Sequence, residues 1–154
     1  MRRAAAPVEE QEEMALESPP PPVTRATDTD VPDEEACYAT LGAIAMHAVR
    51  NANATLGDVV AVIGCGLVGQ LAIRFLTLAG VRVIAFDYAD DRLDLARRMG
   101  AEAALTPENT NIDAVYRLTG DLGTDAIVNA AATDSSAPFE FAAAIARDRA
   151  RVVM

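Results

Sequence analysis

Cysteine and histidine are scarce in this chain of 154 residues, and their scarcity limits the chemistry it can carry. Two cysteines, Cys37 and Cys65, and one histidine, His47, cannot build a structural zinc site with four cysteine ligands. Cys37 and His47 fall on one predicted helix, where neither has a suitable partner for metal binding or nucleophilic catalysis. The sequence therefore predicts no metal site and no zinc in this chain.

Lysine and tryptophan are absent, all 13 basic residues are arginines, and the net charge is −10. An acidic balance of this size disfavours nucleic acid and anionic membranes as partners. The uncharged, largely apolar stretch of residues 36–49 is too short to span a bilayer. No apolar core of a secretory signal precedes Glu9 and Glu10. These absences predict a cytoplasmic protein with neither a nucleic-acid nor a membrane partner.

Residues 1–30 have a different composition from the rest of the chain. They combine an acidic run with four consecutive prolines at positions 19–22 and show no apolar periodicity. Such a segment buries too little apolar surface to fold, so we expect a disordered tail. Residues 31–154 are long enough for one domain with a sizeable core.

The most informative motif is a glycine-rich turn between a predicted strand and a predicted helix. The apolar run 59–63 comes first, and a helical pattern with apolar residues facing one side continues to about residue 79. The turn itself is Gly64, Cys65, Gly66, Leu67, Val68 and Gly69. In this setting, G-x-G-x-x-G indicates the loop of a doubly wound sheet that receives a dinucleotide pyrophosphate.

Each glycine of the turn meets a different structural requirement. Gly64 lets the chain leave the strand in a conformation that a side chain would oppose. Gly66 lets a pyrophosphate approach the backbone, and Gly69 lets the helix pack closely on the strand. The helix then presents its free N–H groups and the positive end of its dipole to the phosphates.

An acid follows at the expected distance and indicates which cofactor is bound. A second apolar strand, residues 81–86, ends at Asp87, a position typical of the carboxylate that binds the adenosine ribose. A 2′-phosphate there would meet like charge, so Asp87 favours NAD over NADP. Arg92 could attract such a phosphate, but we interpret it as a contact to the ribose or the adenine edge. Asp87 could instead cap the helix that begins near Asp90.

Strands and helices alternate along the whole region. A helix covers about 32–50, and helices are also predicted near 90–99, 111–119 and 137–147. Strands are predicted at 103–105, 125–130 and from 151 onward. This alternation predicts an α/β fold, a doubly wound parallel sheet in the order 3-2-1-4-5 with right-handed crossovers.

From about residue 31 to 154 the chain resembles the C-terminal cofactor-binding domain of the medium-chain dehydrogenase/reductase superfamily, which includes the zinc-type alcohol dehydrogenases. The resemblance rests on the helix 40–50, the turn 56–58, the glycine motif, Asp87 with Arg92, and the segments 98–101 and 123–125. It implies that Asp87 and Arg92 contact the adenosine ribose. It also implies that Ala130 and Ala131, just past the fourth strand, line the cofactor.

The resemblance also implies what this stretch lacks. The family's catalytic domain mostly precedes this region, and the fifth strand here is expected to be cut short. We therefore expect an NAD(P)-binding domain of an alcohol dehydrogenase-like oxidoreductase, with no catalytic residue assigned and little catalysis by this chain alone. A homo-oligomer is left open.

Two other functions remain open on the sequence. A nucleotide-sensing regulatory module would use the same glycine motif and acid without catalysis. A methyltransferase that uses S-adenosylmethionine fits less well, because its acid normally stands where this chain has Val62 and Ile63.

Overall fold

The strands form because their sequences are short apolar runs that can be buried on both faces of a sheet. β1 (Val59–Ile63) is buried at every position, and β2 (Arg82–Phe86) is buried at all positions after its first. Such continuous burial is typical of parallel strands covered by helices on both sides. The other strands are β3 (Ala103–Leu105), β4 (Thr124–Asn129) and β5 (Ala146–Val153).

The computed structural model of the chain describes residues 31–108 and 111–154, and Pro32–Met154 form one compact unit. The disordered tail predicted for residues 1–30 lies outside the described residues. The five strands are parallel and lie in the order β3-β2-β1-β4-β5, which confirms the predicted sheet. β1 is central, with Ile63 level with Phe86 of β2 and Asn129 of β4.

Helices cover both faces of the sheet. The helices are α1 (Asp33–Ala36), α2 (Ala39–Ala52), α3 (Leu67–Leu78), α4 (Asp90–Met99), α5 (Ile112–Leu118) and α6 (Ala137–Ile145). One core cluster joins α2, α3 and α4 to the sheet through residues such as Ile73 and Leu93. The other joins α5 and α6 to the opposite face through Val115 and Ile145. The fold is therefore doubly wound, as predicted.

Most element boundaries lie within about one residue of the sequence prediction, and three features differ by more. The single helix predicted for about 32–50 is two helices, because a turn at Cys37 and Tyr38 interrupts it and α2 continues to Ala52. The helix predicted to reach residue 147 ends at Ile145. Ala146 is already extended and pairs with Thr124 of β4. β5 therefore begins at Ala146 and not near residue 151 as predicted, and it includes residues that the alanine-rich pattern assigned to the helix.

Among the helices of the described residues, none combines the length and apolarity that crossing a membrane requires.

Candidate nucleotide-binding site

A cleft opens at the carboxyl ends of the strands, where the strand order reverses: β1 connects through α3 to β2 on one side, whereas β3 crosses over through α5 to β4 on the other. This switch point is where doubly wound sheets bind their ligands. The cleft has a volume of about 650 Å³. Its walls come from the turn after β1, the loops after β2, β3 and β4, and the starts of α4 and α6. The lining residues are Ile63, Gly64, Gly66, Phe86, Asp87, Tyr88, Arg92, Pro107, Ala130, Ala131, Ala132, Thr133, Ser135, Ala137, Pro138 and Phe141.

Gly64 brings the turn after β1 against the loop after β4. Its φ is +90°, in the left-handed region that side chains disfavour, and its N–H group donates to the carbonyl of Phe86 at 2.8 Å. A Cβ atom on Gly64 would lie 2.6 Å from the nitrogen of Ala131. No larger residue can occupy this position without moving one side of the cleft.

The other two glycines of the motif face different surroundings. A Cβ atom on Gly69 would lie 2.0 Å from the carbonyl oxygen of Gly64, so this glycine permits close packing of α3 on the turn. A Cβ atom on Gly66 would meet nothing within 4 Å among the described residues. Gly66 lines the cleft, so the space beside it is open to a ligand.

The first turn of α3 offers backbone donors at the same place. The first hydrogen bond of the helix runs from the N–H group of Gln70 to the carbonyl of Gly66 at 2.8 Å. The N–H groups of Leu67, Val68 and Gly69 therefore have no acceptor within the helix. Together with the helix dipole, these donors favour an anionic group at this end of α3.

Asp87, directly after β2, is held beside the glycine turn by backbone donors. Its side chain is 9 % exposed, and its Oδ2 atom accepts a hydrogen bond from the N–H group of Cys65 at 2.8 Å. Its Oδ1 atom accepts from the N–H group of Ala89 at 3.0 Å. The Arg92 guanidinium lies 3.5 Å from Oδ2. Each carboxylate oxygen can accept more than one hydrogen bond, so acceptor capacity remains for a ligand hydroxyl.

The electrostatics keep Asp87 ionised and Cys65 neutral. Burial alone would raise the pKa of Asp87, but the N–H groups of Ala89 and Cys65, together with Arg92, hold this pKa below its usual value. Burial and the nearby Asp87 charge raise the pKa of the Cys65 thiol to about 12. The site therefore presents a carboxylate and no thiolate near neutral pH.

Six of the ten residues predicted to bind a cofactor line the cleft, namely Gly64, Gly66, Asp87, Arg92, Ala130 and Ala131. The other four do not line it. Cys65 is buried beneath the turn and contributes its N–H group to Asp87, and Gly69 is buried against Gly64. Leu67 and Val68 lie in the first turn of α3, where they can contribute N–H groups.

The sequence reasoning missed several lining residues. Tyr88 is 74 % exposed in the loop after β2. It follows Asp87 directly, and this position in the sequence was a usable signal. Pro107 follows β3, and Thr133 and Ser135 lie in the loop after β4, all near the carboxyl ends of strands. Phe141 of α6, whose ring packs edge-on against Phe86, carried no such signal.

Within residues 31–108 and 111–154, no three or more His, Cys, Asp or Glu side chains come together in a group able to hold a metal ion. The described residues therefore do not fit a zinc site.

Comparisons with known proteins agree with this geometry. The family model for zinc-binding dehydrogenases matches residues 68–154. D-guloside 3-dehydrogenase of Escherichia coli K12 is 43% identical over 86 residues, which are 54% of this chain and 25% of that protein. The chain thus spans about a quarter of the length of this curated relative.

Two solved structures share the fold. One is a short chain alcohol dehydrogenase (rspB) from E. coli CFT073 in complex with NADH, with 27% identity, a TM-score of 0.69, and coverage of 80% of this chain and 36% of that one. The other is mycobacterial Rv1454c in complex with NADPH, with 25% identity, a TM-score of 0.70, and coverage of 80% and 40%. The regulatory module that the sequence left open receives no support from these relatives. The chain therefore belongs to the zinc-binding dehydrogenase family, in agreement with the resemblance in its sequence.

Proposed function

We propose that the cleft binds a nicotinamide dinucleotide, NAD in preference to NADP. The chain then serves as the cofactor-binding domain of an oxidoreductase that transfers hydride between the nicotinamide and an alcohol or carbonyl carbon. The observation that carries the proposal is the ionised Asp87 carboxylate held against an open glycine turn. The relatives solved with NADH and NADPH support a nicotinamide cofactor of either kind.

The chain's own residues bind and orient the cofactor. The N–H groups at the start of α3 bind the pyrophosphate, and the absence of a side chain at Gly66 lets it come close. Asp87 accepts hydrogen bonds from the ribose hydroxyls, with Arg92 beside it and Ala130 and Ala131 forming the opposite wall. When bound, the cofactor accepts or donates the hydride.

The preference for NAD follows from charge. The Asp87 carboxylate would face the 2′-phosphate of NADP as a like charge in a partly desolvated place, whereas the 2′-hydroxyl of NAD can donate to it. Arg92 offsets part of this repulsion, but its guanidinium already lies near Asp87. A cytoplasmic location stays a prediction from the sequence.

Calorimetric titration of the chain tests the proposal. We expect heat with NAD⁺ and NADH, and affinity for NADP⁺ lower by about tenfold, equivalent to about 1.4 kcal/mol. Asp87→Ser removes the charge and should reduce the preference for NAD⁺. Asp113→Asn, at an exposed position of α5 outside the cleft, is the matched control and should bind as the wild type does.

Two results would contradict the proposal. One is a folded wild-type chain that gives no heat with either NAD⁺ or NADH at millimolar concentration. The other is tighter binding of S-adenosylmethionine than of NAD⁺, which would favour the methyltransferase interpretation.

A further inference from the structure

Gln70 is a buried polar side chain directly after the glycine turn, and the proposed function does not use it. It follows Gly69 on α3 and is only 4 % exposed. Its Nε2 atom donates to two carbonyl groups, that of Cys65 at 3.0 Å and that of Arg92 at 2.9 Å. One carbonyl belongs to the glycine turn and the other to the first turn of α4. A single amide group thus joins the glycine turn to the start of α4, and both segments contribute residues to the lining of the cleft.

These bonds close a ring of four residues. Cys65 donates its N–H group to Asp87, and the Arg92 guanidinium lies 3.5 Å from the same Asp87 oxygen. Gln70 joins the backbone of Cys65 to that of Arg92 and completes the circuit. The separation between the free N–H groups of α3 and the Asp87 carboxylate is therefore fixed by contacts on both sides.

The orientation of the Gln70 amide follows from its partners. The reverse orientation would direct Oε1 at two carbonyl oxygens, which cannot donate a hydrogen bond. In the orientation observed, Oε1 accepts no hydrogen bond from the described residues. A buried acceptor without a partner is destabilising, and an apolar side chain of similar shape would avoid it. The two carbonyls that Nε2 joins account for the amide at this position.

We infer that Gln70 is a positioning residue for the bound dinucleotide. This inference rests on the proposed function. Gln70 holds the pyrophosphate donors of the glycine turn at the correct distance from the ribose acceptor Asp87. A ligand that spans both groups depends on this distance, whereas a ligand that uses only the ribose side does not. Gln70 should therefore affect affinity for ADP and NAD⁺ and leave affinity for adenosine nearly unchanged.

The test compares Gln70→Met with Thr77→Val. Methionine retains the length and approximate volume of glutamine without a donor. Thr77 also links α3 to α4, because its hydroxyl contacts the carbonyls of Arg74 at 3.0 Å and Met99 at 3.2 Å, two turns away from the site. Thr77→Val therefore controls for general weakening of this helix pair.

Calorimetry should show that Gln70→Met weakens ADP and NAD⁺ binding by about fivefold or more, from two lost hydrogen bonds. Adenosine affinity should change by less than about twofold, and Thr77→Val should change none of the three. Equal loss for all three ligands, or no loss, would overturn the inference while leaving the proposed function intact. A wild-type chain that binds none of them would contradict the proposed function itself, and the inference with it.

A second measurement needs no variant and so does not depend on whether Gln70→Met folds. Nuclear magnetic resonance of the ligand-free wild type should show the Gln70 side-chain NH₂ protons exchanging with solvent far more slowly than those of a free glutamine amide. Exchange at the rate of a free amide would show that the ring is not maintained in solution, and the positioning role would be rejected.

Discussion

Gly66 and Gly69 are three residues apart, yet a methyl group would have opposite consequences at the two positions. At Gly69 the added Cβ atom would lie 2.0 Å from a backbone oxygen of Gly64, and a backbone atom cannot move aside cheaply. At Gly66 it would project into open space beside the cleft. Gly66 is thus explained by the approach of a ligand from outside, and Gly69 by packing within the protein.

We expect Gly69→Ala to lower the free energy of unfolding by about 3 kcal/mol, because overpacking forces the turn away from α3. Gly66→Ala should keep the wild-type stability within about 1 kcal/mol and weaken NAD⁺ binding, since the methyl group occupies the phosphate's approach. Urea denaturation and calorimetry on both variants measure the two quantities. A large loss of stability in Gly66→Ala, or unchanged NAD⁺ affinity, would contradict this division of roles.

At the scale of elements, Asp125 connects three strands near the amino-terminal end of the sheet. This residue of β4 accepts a hydrogen bond from the N–H group of Val59 at 2.7 Å and forms an ion pair with Arg147 of β5. Val59 begins β1 and is 5 % exposed, so its N–H group has little access to water. The carboxylate therefore ties the central strand and β5 to the strand between them.

We expect Asp125→Ala to lower the free energy of unfolding by about 1–3 kcal/mol, because it leaves the buried N–H group of Val59 without its acceptor. Arg147→Ala removes only the ion pair, whose arginine is 46% exposed, and should cost less than about 1 kcal/mol. Urea denaturation of both variants makes the comparison. Equal losses would show that the ion pair, rather than the bond to Val59, dominates.

Most elements could be predicted from the sequence because their signals are local. β1, α4 and β3 have the predicted bounds, since apolar runs and the glycine at position 100 mark their ends. The end of α6 could not be predicted in this way. Ala146 is a good helix former by itself, and only its pairing with Thr124 across the sheet makes it extended. A long-range contact overrides the local preference there.

For the molecule as a whole, the site is an outcome of topology. Asp87, Ala130 and the glycine turn were predictable because each follows a strand, and parallel strands bring their carboxyl ends to one edge. The Gln70 ring and the contribution of Phe141 were not predictable, because they depend on how α3, α4 and α6 pack. A sequence pattern specifies which segments meet, whereas packing decides which side chains touch.

A cofactor bound in this cleft should stabilise the entire sheet. The cleft is built from segments after β1, β2, β3 and β4, so it exists only when these strands are assembled.

A ligand that binds only the folded state, at a concentration 100 times its Kd, adds about 2.7 kcal/mol to the free energy of unfolding. NAD⁺ at that concentration should raise Tm by roughly 8 °C. Thermal unfolding followed by circular dichroism measures the shift. Calorimetric heat without any rise in Tm would mean that NAD⁺ does not bind preferentially to the folded sheet, and the cleft would then not be its site.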